Sequence, residues 1–152
     1  MTVHTYVRGD HEYELDDDPA RVDVDALWTF LSTQAYWARW RRRSDVEAQL
    51  RSAWRVVAVY DGRGMVGFAR AISDGVALAY LADVYVEERA RGDGVGVELV
   101  STMIDGGPGA HMRWMLHTRD AHGLYERFGF GRPDDTYLER PAPGAPTEPG
   151  PD

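Results

Sequence analysis

Between Leu81 and Ile104 the chain reads as an apolar strand rich in β-branched residues, then a turn with glycines at 92, 94 and 96, then an apolar helix. Few arrangements accept that order. Glycines let successive backbone N–H groups converge on one point, and the positive end of the following helix dipole favours an anion there. The spacing excludes two common nucleotide motifs. No Gly-Lys-Ser/Thr follows, so the turn is not a P-loop, and Gly92, Gly94 and Gly96 lack the G-x-G-x-x-G spacing of a dinucleotide fold. With Arg91 at its head the turn reads Arg-x-x-Gly-x-Gly.

The flanking sequence supplies the rest of an α/β domain. Val24, Leu27, Trp28 and Leu31 recur at helical spacing behind a capping Asp23, which predicts a helix over 24–33. Ser44 followed by Glu47 forms a capping-box signature for a second helix over 45–53. Residues 11–16 alternate like a short strand. Residues 54–60 and 65–73, joined by the turn Asp61-Gly62-Arg63-Gly64, read as a hairpin, and 76–86 continues the meander. Past the glycine helix, Gly106-Gly107-Pro108-Gly109 breaks the chain. A strand over 112–118, a short helix over 121–128 ended by Gly129, and a last strand over 136–140 complete the order.

Composition bounds the function. The 152 residues are 43% hydrophobic, enough for one domain with a core, expected over 1–140, followed by a Pro/Gly-rich, disordered tail over 141–152. No apolar run approaches a bilayer span and the N-terminus has no apolar signal core, so a cytoplasmic protein without membrane contact is expected. The formal net charge of −8 argues against nucleic acid as a partner. The absence of cysteine excludes a cysteinyl acyl-enzyme and thiolate metal sites, and the scattered histidines suggest no metal.

The turn resembles motif A of the GNAT superfamily, the Gcn5-related N-acetyltransferases, in which Gln/Arg-x-x-Gly-x-Gly/Ala holds the pyrophosphate of acetyl-CoA. Two further features agree. The element order is similar to the GNAT fold, a twisted mixed sheet with helices on both faces and a splay between the parallel strands around the glycine helix. Ala121-His-Gly-Leu-Tyr125-Glu-Arg-Phe-Gly-Phe130 resembles the family's C-terminal Ala-x-x-Leu-Tyr-x-x-x-Gly-Phe segment. The resemblance implies that backbone groups of Val84 and Val86 pair with the pantetheine arm, with an amide near Val84 facing the thioester oxygen. It implies that Arg91, Gly92, Asp93, Gly94, Val95 and Gly96 hold the pyrophosphate, and that Tyr125 acts as general acid to the leaving thiolate. Thr118 stands where the family often has a cofactor-contacting Asn.

The activity implied is transfer of the acetyl group of acetyl-CoA to a primary amine, in the first instance of a small molecule, by direct attack in a ternary complex. Acetylation of a protein or peptide, and a non-catalytic acyl-CoA-binding module, stay open as alternatives. Asp83, on the strand beside the cofactor cleft, is a candidate base, since a carboxyl on an apolar strand is expected to have a raised pKa. His117 and His122 are alternatives. Tyr36, Trp37 and Trp40 either line the acceptor pocket or pack in the core, and Arg39 and Arg41–Arg43 are expected on a solvated face, with contact to the 3′-phosphate of CoA or to an acidic acceptor as the alternative. A homodimer is an open expectation from the resemblance.

Overall fold

The computed structural model describes residues 3–35 and 41–144. It divides into two compact units, Met1–Leu116 and His117–Asp152. The first unit holds a six-stranded sheet in the order β1-β2-β3-β4-β5-β6. Strands β1 (Val3–Arg8), β2 (His11–Asp16), β3 (Arg55–Asp61), β4 (Gly64–Ser73) and β5 (Leu78–Val86) run antiparallel to their neighbours, and β6 (Arg113–Met115) pairs with β5 in parallel.

Strand β1 is an addition to the sequence reading. It pairs with β2 from Val3↔Asp16 to Arg8↔His11, across a two-residue loop whose first residue, Gly9, has φ 60°. Glycine there matches the turns that suit the twist of a hairpin. Polar residues at positions 4, 5 and 8 give β1 no clean alternation, which is why its pattern is silent in the sequence.

Helix α1 (Val24–Thr33) begins where the sequence predicts, with the Asp23 carboxylate accepting from the Ala26 N–H at 3.0 Å. Helix α2 (Arg43–Ser52) starts earlier than predicted. The N-terminal bond comes from Asp45, whose carboxylate accepts from the Arg42 N–H at 2.8 Å, and not from the expected Ser44–Glu47 pair. Asp45 is already in the first turn once the helix begins at Arg43, so the Ser44 pairing has no role left.

Alternation along β3 divides the core. Val56, Ala58 and Tyr60 join Leu27, Phe30, Leu31 and Val46 of α1 and α2 in one cluster with Phe68 and Tyr85. Val57 and Val59 are wholly buried outside it, on the opposite face by the pleat. Helix α3 (Val95–Met103) packs against β3, β4 and β5. Arg55 closes its far end: the buried guanidinium donates to the carbonyls of Thr102 (2.8 Å) and Met103 (2.9 Å), where the helix dipole is negative.

In the second unit, α4 (His122–Glu126) is shorter than the predicted 121–128. Gly129 (φ 86°) ends the segment as expected, and the N–H groups of Phe128 and Phe130 both donate to the Tyr125 carbonyl. The predicted strand over 136–140 does not form: this stretch is irregular and Leu138 is 91% exposed. One exposed leucine gives a strand no face to bury. Of the expected tail, residues 145–152 lie outside the described residues.

Candidate functional site

The glycine turn opens α3 as predicted. Gly92 (φ 89°) and Gly94 (φ 76°) both adopt the left-handed conformation that other residues avoid. Gly94 is also the N-cap of α3, and a Cβ there would sit 2.9 Å from the Tyr6 hydroxyl, so the position is closed to side chains on two counts. As at the start of any α-helix, the amides of the first turn of α3 have no carbonyl partner one turn back within the helix. Those N–H groups lie at the N-terminal end of α3, where the helix dipole is positive. At the head of the turn, Arg91 donates through Nε to the Val86 carbonyl at 3.0 Å, tying the turn back to β5.

Asp93 faces the β1–β2 hairpin. Its backbone carbonyl accepts from the Tyr6 hydroxyl at 2.6 Å. Its carboxylate accepts from the Tyr13 hydroxyl at 2.6 Å and bonds His11 Nδ1 at 2.5 Å. The bonds from Tyr13 and His11 hold the Asp93 carboxyl below its usual range. Burial, then the bond to Asp93, pushes the Tyr13 hydroxyl up to about 12. The same carboxylate raises the pKa of His11. None of these hairpin partners was singled out from the sequence, because they lie 80 or more residues from Asp93. The one available signal was the run Tyr6, Arg8, His11, Tyr13, which shares a sheet face once the hairpin is known.

Val84 and Val86 lie at the end of β5, whose two edges differ. Toward β4 the strand is paired as far as Val86. Toward β6 the pairing stops at Tyr80↔Met115. Strand β6 is accordingly much shorter than the predicted 112–118. Among the described residues, β6 is registered with β5 only as far as Tyr80, and residues 81–86 have no strand partner on that edge. At the same place the β4–β5 register slips between Phe68 and Arg70, a bulge that sets Asp83 and Val84 opposite Ala69. Asp83 takes φ 55°, the only positive φ of a non-glycine residue among those described. Such bulges bend a strand and re-aim its groups.

That geometry corrects two expectations. Asp83 is 7% exposed and sits between two arginines: Arg41 donates to both carboxylate oxygens (2.7 and 3.0 Å) and Arg70 Nε to one (2.7 Å). Burial pushes the carboxyl up, but the bonds and charges of Arg41 and Arg70 outweigh it, and its pKa lies below the usual value rather than above. A carboxylate held as an anion by two guanidinium groups is a weaker proton acceptor than a free one, and the raised pKa expected of Asp83 as a base is not found. Arg41, expected on a solvated face, is buried at 7% exposure, whereas Arg42 and Arg43 are exposed. Tyr36, Trp37, Arg39 and Trp40 lie outside the described residues.

In the second unit the Thr118 hydroxyl accepts from the Ala121 N–H at 3.0 Å at the start of α4. Tyr125 is 7% exposed, with its ring edge-on to Phe130 at 5.8 Å between centroids. His117 Nε2 bonds Glu139 at 2.8 Å, and His122 opens α4. Among the described residues, no three His, Asp or Glu side chains converge to hold a metal ion, and no helix is long and apolar enough to cross a membrane.

Comparison with known proteins agrees with this fold. The family model described as "Acetyltransferase (GNAT) family" matches residues 13–130. A crystal structure from Xanthomonas campestris pv. campestris, of a protein described as a GNAT-family acetyltransferase, superposes with a TM-score of 0.80 at 30% identity, covering 87% of this chain and 94% of that one. One from Deinococcus radiodurans R1, also described as an acetyltransferase, gives 0.66 at 23% identity over 84% and 88% of the two chains. An acetyltransferase-like protein from Clostridium acetobutylicum, crystallised with acetyl-CoA, gives 0.61 at 14% identity over 86% and 96%. Among curated proteins none matches this chain.

Proposed function

From the premise that this chain belongs to the GNAT acetyltransferase family, we propose that it transfers the acetyl group of acetyl-CoA to a primary amine of a small molecule. The observation that carries this reading is the bulged end of β5, unpaired with β6 past Tyr80, running into a turn with two left-handed glycines that opens α3. A thioester with a long polar arm and a diphosphate matches both halves of that feature. The residues fit the group: the turn leads into the N-terminus of α3, and an added Cβ at Gly92 would meet nothing within 4 Å, so no side chain crowds the turn there.

Acetyl-CoA supplies, when bound, an acyl carbon open to attack by a neutral amine. The chain's own part is mainly placement. Amides of residues 92–96, with Arg91, hold the diphosphate, and backbone groups at Val84 and Val86 continue the sheet along the pantetheine arm. Fixing both reactants removes an entropic barrier of ~7–11 kcal/mol at best. An N–H near Val84, re-aimed by the bulge, stands as donor to the oxygen on which charge develops. Tyr125, at the position of the family's tyrosine, would give its hydroxyl proton to the departing sulfur and regain one by way of solvent from the nitrogen as the amide forms. With no cysteine in the chain, the amine attacks directly and no cysteinyl intermediate intervenes.

The test is thiol release from acetyl-CoA across a panel of small amines, amino acids and lysine peptides, with Gly94→Glu as control. That substitution adds a carboxylate and a Cβ where the turn accepts neither. Turnover with a small amine that Gly94→Glu abolishes supports the proposal. Turnover with peptides alone moves the acceptor class to proteins, and acetyl-CoA binding without any turnover makes the chain a binding module.

A further inference from the structure

The turn that would hold the diphosphate carries an acidic residue, Asp93, in a chain whose net charge is −8. Asp93 and Arg91 cancel in formal charge, so the turn by itself presents amides and no net positive charge. The β1–β2 hairpin changes that balance. By the pleat and register of the hairpin, His4, Tyr6 and Arg8 share a face with Leu15, Tyr13 and His11. This face meets the start of α3: Tyr6, Tyr13 and His11 all bond Asp93, and His4 bonds Glu98 one turn further on. Arg8, across from His11 at the hairpin tip, ends the row. Its Nη1 lies 3.7 Å from where a Cβ on Gly94 would be.

Arg8 is exposed; its charge helps to hold the Asp93 carboxyl below the usual range, without a hydrogen bond between them. Of the other nearby cations, Arg91 donates through Nε alone to the Val86 carbonyl, Arg89 pairs with Asp61 and His11 with Asp93. A guanidinium presents a planar fork of donors suited to phosphate oxygens. We propose that Arg8 is a phosphate-binding residue, the hairpin's guanidinium joining the amides of residues 92–96 in holding a phosphate group of acetyl-CoA. The inference rests on the acetyl-CoA reading above and adds to it a residue outside the motif. Asp93 then has a second use, since its three bonds to the hairpin bring Arg8 to the turn.

The experiment is calorimetric titration of the full chain, wild type, Arg8→Gln and Arg8→Lys, with coenzyme A, 3′-dephospho-coenzyme A and pantetheine. Thermal midpoints verify that the variants fold, which an exposed side chain allows. Loss of a charge-assisted contact is expected to weaken coenzyme A binding about ten- to a hundred-fold in Arg8→Gln. The dependence on salt should become shallower, Arg8→Lys should recover part of the affinity, and pantetheine should bind all three proteins alike. Weakening toward coenzyme A alone assigns the contact to the 3′-phosphate, and equal weakening toward dephospho-coenzyme A assigns it to the diphosphate. If wild type binds coenzyme A and Arg8→Gln binds it equally well at low salt, the proposal is overturned. If wild type binds no coenzyme A, the acetyl-CoA reading falls first and takes this inference with it.

Discussion

Arg70 donates to Asp83 at 2.7 Å across the one place where the β4–β5 ladder slips. The arginine comes from the residue paired with Ala82, and the aspartate is the left-handed residue of the bulge. Arg41 reaches the same carboxylate from just ahead of α2. A left-handed aspartate costs about 1–2 kcal/mol of backbone energy, and here two ion pairs in a buried setting hold it in place. Asp83→Asn tests the balance. Asparagine tolerates that conformation and keeps the shape, but leaves two buried guanidinium groups without a counter-charge, which should destabilise by about 3–5 kcal/mol. Urea denaturation measures it, and a loss under about 1 kcal/mol would mean that the ion pairs contribute no more than surface ones do.

Acid should act through the same carboxylate. Its pKa is depressed by folding, so its contribution is complete above the ordinary value of 3.8 and is lost as pH falls through the lower folded value. Wild type should therefore lose stability below about pH 4 more steeply than Asp83→Asn. Parallel acid limbs in the two proteins would contradict the linkage.

His11 gives the opposite sign. Its pKa is raised from 6.5 by Asp93, so its hold on the turn is complete below that value and is lost as pH rises through the folded one. An NMR titration should place His11 above 6.5, and Asp93→Asn should return it toward the ordinary value. A His11 that titrates identically in both proteins would show that the contact does not persist in solution.

Gly94→Ala combines a left-handed φ with a Cβ 2.9 Å from the Tyr6 hydroxyl. The backbone part is worth about 1–2 kcal/mol, and the overlap adds to it. Removing the hydroxyl by Tyr6→Phe should relieve only the overlap. The double variant Gly94→Ala/Tyr6→Phe should therefore be more stable than the two single losses, added, would give. Strict additivity in thermal or urea denaturation would contradict the close approach.

Tyr125→Phe addresses chemistry apart from binding. If its hydroxyl protonates the leaving thiolate, kcat should fall about a hundred-fold or more while coenzyme A affinity stays within a few-fold. Unchanged kcat would remove Tyr125 from the reaction.

Much of this architecture was legible in the sequence wherever the cause is local. The cap Asp23 and the spacing Val24, Leu27, Leu31 placed α1, and positive φ at Gly92 and Gly94 follows from the glycines themselves. What stayed hidden depends on distant partners. Nothing near Asp83 announces a bulge, since a left-handed aspartate carries no mark that a glycine would, and its anchor Arg41 is 42 residues away. The raised pKa expected for Asp83 failed for that reason: apolar neighbours are visible along a strand, whereas guanidinium groups arriving from other elements are not. The hairpin contacts to Asp93 were invisible in the same way.

The parallel seam between β5 and β6 holds only three registered pairs. A sheet margin that ends so early leaves the amides of residues 81–86 on that flank to exchange with solvent deuterium, unless something extended lies alongside. A pantetheine chain seated there would act as a surrogate seventh ribbon. Ligand occupancy would then be readable, peptide by peptide, as slowed deuterium uptake along the second half of β5.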